Sequence, residues 1–183
     1  MSEIIESVSE RLQAVQARIS DAARVAGRAP GSIRLIAVSK TFPADDIAAL
    51  LAAGQRDFGE SYLQEAEAKI ETLGDAGVVW HFIGPIQSNK TRAIAEHFDW
   101  VHSIERTKIA ERLATQRPAR LPPLDVCLQV NVSGEATKSG VSPDDVPALA
   151  RAIKALDRLR LRGLMAIPEP TDDADLQRAR FRM

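Results

Sequence analysis

Lys40 is the first residue whose setting suggests chemistry. It follows RLIAVS, an apolar run of strand type, and precedes the loop opener TFP. In parallel α/β folds the carboxyl ends of the strands form the ligand-binding face. A lysine rooted in a dry strand there would have its ammonium form disfavoured by desolvation. That is what a Schiff-base lysine needs, because the neutral amine attacks the aldehyde. The plainer alternative is a lysine that marks a strand end and points into water. A second candidate is WHFIGPIQSNK, a strand, a Gly-Pro turn and then Gln87, Ser88 and Asn89 opening a helix. Their side chains and the helix amides could hold an anion or a ring substituent, although capping by Ser88 or Asn89 is the commoner use of such residues. In FGESYLQE, Glu60 stands at a strand end, while Ser61 and Gln64 fit a capping box, S-x-x-Q, which by itself accounts for both.

In LQVNVSGEATKSG, Asn131 interrupts an apolar strand and must find hydrogen-bond partners if buried. Lys138 and Gly140 fall in the polar loop that follows; a plain surface loop would explain them equally well. Among the histidines, His97 falls in a helix tail, and His81 and His102 fall in strands. None has metal-type spacing to another ligand candidate, so no metal is expected. Cys127 lies in a buried-type strand and reads as packing rather than as a nucleophile.

The elements that must position these residues alternate strictly. Ile4, Val8, Leu12, Val15 and Ile19 recur at helical spacing and predict a helix over 3–26. After it, strand and helix segments follow one another six times. RLIAVS, RDFGE, VVWHFIG, DWVHSIE, LDVCLQVNV and LRLRGLMAI are the strands. ADDIAALLAA, SYLQEAEAKIETL, QSNKTRAIAEHF, RTKIAERLATQ, SPDDVPALARAIKAL and DADLQRARFRM are the helices. In SYLQEAEAKIETL one face carries Leu63, Ala66, Ile70 and Leu73. In SPDDVPALARAIKAL, Ser142 is the expected N-cap and Pro143 the first helical residue. Such alternation implies parallel strands with right-handed crossovers, but periodicity alone does not choose between an open doubly wound sheet and a barrel.

Composition narrows the classes. Hydrophobic residues make up 45% of the 183 positions and charged ones 27%, which suits a globular domain with a sizeable core. A net charge of -1 without long runs of one sign argues against a nucleic-acid partner. No apolar stretch is long enough to span a bilayer, so no membrane partner is expected. The acidic, amphipathic N-terminus is unlike a secretory signal. One cysteine cannot form an internal disulfide, and together these features point to a cytoplasmic location. No G-x-S-x-G, P-loop or G-x-G-x-x-G motif is present.

Taken together, LIAVSKTFP, FGESYLQEAEAK, WHFIGPIQSNK, VHSIE, LQVNVSGEATKSG and LRGLMAIP resemble, in the same order, the YggS/PROSC family of pyridoxal phosphate homeostasis proteins. The resemblance covers nearly the whole chain. It implies an α/β fold of alanine racemase N-terminal type, a TIM-type (β/α)8 barrel, here with about six β/α units preceded by an N-terminal helix and forming a single domain over 1–183. It also implies binding of pyridoxal 5'-phosphate as an internal aldimine (Schiff base) with Lys40, with Ser61, Gly84, Asn131 and Met165 as further cofactor-binding residues. The family usually has Asn where Ser61 stands. Its members continue into two further strand–helix units that carry the phosphate cradle, so the resemblance implies a barrel incomplete at its C-terminus. The implied role is intracellular pyridoxal phosphate homeostasis, with pyridoxal-phosphate-dependent apoenzymes as partners and no turnover of its own. The rival is an amino-acid racemase or decarboxylase using the same Lys40. A racemase of this kind needs a second acid/base, typically a tyrosine from another domain, and Tyr62 is the one tyrosine here.

Overall fold

The computed structural model describes residues 2–133 and 139–183. Helix α1 (Ser2–Val25) leads, and six strand–helix units follow: β1 (Ala37–Val38) and α2 (Ala44–Ala52), β2 (Asp57–Glu60) and α3 (Leu63–Leu73), β3 (Val79–Phe82) and α4 (Thr91–His97), β4 (Trp100–Ile104) and α5 (Thr107–Gln116), β5 (Leu124–Gln129) and α6 (Val146–Lys154), β6 (Leu159–Met165) and α7 (Ala174–Phe181). The pairs β1–β2, β3–β4, β4–β5 and β5–β6 are all parallel. The chain forms two compact units that meet in sequence inside β3, between Trp80 and His81.

In the first unit β1 pairs with β2 through Ala37–Phe58 and Val38–Gly59. The Ser39 amide extends that ladder to the Gly59 carbonyl (3.0 Å), and the Val79 amide reaches the Arg56 carbonyl (2.8 Å). β1 is much shorter than the run RLIAVS, and it is not buried on both faces, since Val38 is exposed. Part of the reason lies in Gln55. Its buried side-chain amide donates to the Leu35 carbonyl (2.9 Å) and the Asp57 carbonyl (2.7 Å), so a side chain takes the place of a ladder bond. Leu12 and Ala23 of α1, Ile47 and Leu51 of α2 and Phe58 of β2 are buried, whereas Val15 is not. Gly54 closes α2 with φ +97°, a conformation that glycine adopts without strain, and lets the Gln55 amide bond back to Leu50.

In the second unit β3, β4, β5 and β6 pair in chain order, with β5 and β6 paired from Leu124–Leu159 to Gln129–Met165 across a register shift between Val126 and Cys127. Five of the six β5 residues are buried, as expected of a continuous apolar run covered on both faces. Ile104, Leu113, Leu128 and Ile153 are fully enclosed, each worth about 1.5–3 kcal/mol relative to exposure. The buried Arg117 guanidinium closes the end of α4: it donates to the carbonyls of Ala95 (2.7 Å), Phe98 (2.8 Å) and Pro122 (2.8 Å). Ser142 accepts from the Asp145 amide (3.2 Å), so it caps the 3-10 turn Pro143–Asp145 that leads into α6 rather than α6 itself, which begins only at Val146.

Candidate functional site

Lys40 lies two residues beyond β1, and its side chain is exposed rather than dry. The desolvated setting expected from the strand pattern is therefore not what the fold provides. Its backbone, by contrast, is held firmly. Ser39 is buried and Thr41 has φ +68°, the one non-glycine residue with positive φ among the described residues. A threonine there costs about 1–2 kcal/mol, so something must hold it.

The holder is a buried ion cluster that the sequence did not announce. Lys69 of α3, with a side chain only 6% exposed, donates to the Ser39 carbonyl (2.7 Å), to Glu60 Oε1 (2.8 Å) and to Glu65 Oε1 (2.5 Å). These three bonds use all the protons of an ammonium group. Glu60 Oε1 also accepts from the Ser39 hydroxyl (2.7 Å), and Glu65 Oε1 accepts from the Thr41 amide (2.5 Å). Glu60 is wholly buried, and its Oε2 has no partner among the described residues. The hydrogen bond from Lys69 holds the Glu65 carboxyl below the usual range, with the Thr41 amide adding to the effect. The signal available in the sequence was the i, i+4 pair Glu65–Lys69. It was obscured because Lys69, rather than Ile70 or Leu73, joins Leu63 and Ala66 on the buried stripe of α3.

Ser61 follows β2 directly and is half-buried, but it does not cap α3. The N-cap position falls to Tyr62, which makes no side-chain cap bond, so the Ser61–Gln64 capping box does not form. Tyr62 itself is 57% exposed. In the second unit Gly84 is buried two residues past β3, its carbonyl accepting from the Ser103 hydroxyl (2.5 Å). Gln87, Ser88 and Asn89 are exposed, and the short turn they open has no side-chain cap. Asn131, two residues past β5, is half-buried and does find partners: its amide bonds to the Val141 carbonyl (2.9 Å), and its Oδ1 accepts from Ser133 (3.3 Å). Gly140 presses on this backbone so closely that a Cβ would lie 2.7 Å from the Asn131 nitrogen, and its amide donates to Glu105 (2.8 Å). Lys138 lies outside the described residues. Met165 ends β6, and its carbonyl accepts from the Val130 amide (2.8 Å).

Each of Lys40, Ser61, Gly84, Asn131 and Met165 thus stands at the carboxyl end of its strand or within two residues of it. The histidines form a different feature. His81 Nδ1 and His102 Nε2 are 2.9 Å apart, and both rings stack on Trp100. Burial, with His81 adding to it, pushes His102 down to about 4. Cys127 is buried, and burial pushes its thiol up to about 11, which suits packing. Among the described residues no group of three or more His, Cys, Asp or Glu is arranged to hold a metal. No helix among them is long and apolar enough to cross a membrane.

Residues 11–183 match the family described as "Alanine racemase, N-terminal domain". The pyridoxal phosphate homeostasis protein of Pseudomonas aeruginosa is 62% identical over 177 residues, which covers 97% of this chain and 77% of that protein. Among solved structures, PipY of Synechococcus elongatus with pyridoxal phosphate bound is 37% identical with a TM-score of 0.75, covering 94% of this chain and 76% of that one. Alanine racemase from Corynebacterium glutamicum, 16% identical with a TM-score of 0.66 over 97% of this chain and 48% of its own, shares the fold alone. The strand–helix order, the TIM-barrel-like alanine racemase N-terminal fold and these likenesses agree, and the chain belongs to the family of pyridoxal phosphate homeostasis proteins.

Proposed function

We propose that this chain binds pyridoxal 5'-phosphate and serves its intracellular homeostasis, with Lys40 as the residue that takes the cofactor. The observation that carries the reading is an exposed primary amine at a strand's carboxyl end, on a backbone tied down on both sides. That donor fits the aldehyde of the cofactor. When bound, the cofactor would supply an aldehyde carbon that can accept a lysine amine. Lys40 presents that amine, while Ser39 and Thr41 keep its peptide units in place. Ser61, Gly84, Asn131 and Met165 are proposed as cofactor contacts from the same ends of their own strands. The cytoplasm is the proposed location, and pyridoxal-phosphate-dependent apoenzymes are the proposed recipients. The chain acts in this reading as a holder of cofactor rather than as a catalyst.

Borohydride reduction of the cofactor-loaded protein should fix the label to the peptide containing Lys40, and Lys40→Ala should remove it. A label on Lys90 or Lys138 that survives in Lys40→Ala would refute the assignment. Incubation with L-alanine followed by chiral analysis should give no D-alanine. A racemisation rate that disappears in Tyr62→Phe would favour the enzymatic reading instead.

A further inference from the structure

We infer that Lys69, with Glu65, is a positioning device for Lys40, an inference that rests on Lys40 being the residue that takes the cofactor. Lys40 belongs to two peptide units. The carbonyl of the first, on Ser39, accepts from Lys69 Nζ (2.7 Å), and the amide of the second, on Thr41, donates to Glu65 Oε1 (2.5 Å). Lys69 Nζ and Glu65 Oε1 are themselves bonded at 2.5 Å. One ion pair on α3 therefore grips the backbone immediately before and immediately after Lys40. The grip is anchored from below, since Glu60 of β2 bonds both to Lys69 (2.8 Å) and to the Ser39 hydroxyl (2.7 Å).

The arrangement does what a flexible, exposed lysine cannot do for itself. Binding through a long side chain costs the entropy of ordering it and its loop, and a backbone ordered beforehand lowers that cost. The left-handed Thr41 is part of the device, because the Glu65 bond holds a conformation that threonine otherwise avoids. Charge-assisted bonds of this kind are the stronger class. Glu65 is the accessible member, its side chain 30% exposed, so it can be replaced while Lys69 and Glu60 stay paired.

The test titrates pyridoxal phosphate into the full chain carrying Glu65→Ala, Glu65→Gln or Lys69→Met, and maps the borohydride label in each. Glu65→Ala should weaken binding by about tenfold or more and spread the label from Lys40 to other lysines, with the melting temperature little changed. Glu65→Gln retains an oxygen acceptor for the Thr41 amide and should recover most of the affinity. Lys69→Met should bind worse than Glu65→Ala; should it fail to fold, the Glu65 pair decides the question. Unchanged affinity and unchanged labelling at Lys40 in Glu65→Ala overturn the inference while leaving Lys40 as the cofactor residue. An unaltered chain that takes label elsewhere than Lys40 overturns both.

Discussion

Lowering the pH should destabilise this protein through His102, in a window set by its burial. In the folded chain His102 is pushed from 6.5 to about 4, first by desolvation and second by the charge of His81. Its Nε2 sits 2.9 Å from His81 Nδ1, so one of the two rings donates and the other accepts. A proton added to His102 makes its Nε2 a donor, so the contact then survives only where His81 Nδ1 accepts. In the unfolded chain His102 binds its proton near 6.5, so below that pH the unfolded state holds more protons than the folded one. Stability from this group is therefore fully present above pH 6.5 and falls as the pH drops toward 4. The full depression corresponds to about 3 kcal/mol. Because the ring is only half-buried, screening reduces what is realised to about 1–3 kcal/mol. Urea unfolding at a series of pH values between 7 and 4, on the unaltered chain and on His102→Gln, measures the share. Glutamine keeps a hydrogen-bonding group opposite His81 and removes the titration, so the pH slope should flatten by that amount. An NMR titration of His102 near 6.5, or an identical slope in His102→Gln, would refute the reasoning.

Removing Lys69 alone, as Lys69→Met, strands a carboxylate at the fully buried Glu60. It should cost about 3–5 kcal/mol, read as a fall of about 10 °C in melting temperature. The double variant Glu60→Gln/Lys69→Met removes both charges and should lose less than Lys69→Met does. Arg117→Met frees three carbonyls at the end of α4 and before β5; chemical denaturation should show a loss of about 2–4 kcal/mol. Cys127, its thiol pushed up to about 11, should react with a thiol reagent at pH 8 about a hundredfold more slowly in the folded chain than after denaturation.

The alternation of elements, the parallel sense of the strands and the place of Lys40 at the end of its strand were legible in the sequence, whereas Asn131, read as inside β5, lies two residues past it. Helical and strand periodicities are local, and the helix boundaries at Val25, Ala52 and Gln116 fall within a residue of those read from spacing. The Ser142 cap was equally readable, because a cap bonds within its own turn. What spacing could not supply were facts that depend on which segments meet. RLIAVS looks like a long dry strand, yet only two of its residues form strand, since Gln55 occupies the Leu35 carbonyl from another segment. Ser61 and Gln64 fit a capping box by type, but α3 begins one residue too late for it, after Tyr62. Lys40 was found by its position, whereas the reason its backbone is fixed was not. Lys69 reads as an ordinary surface lysine on an amphipathic helix, and only the packing of α3 against the ends of β1 and β2 turns it into a buried cation. A buried charge must be paired, and the partners that satisfy it, Ser39, Glu60 and Glu65, lie 30, 9 and 4 residues away. Only the shortest of those separations lies within the reach of helical periodicity, so the sequence alone determined where Lys40 stands and tertiary structure decided how its backbone is held.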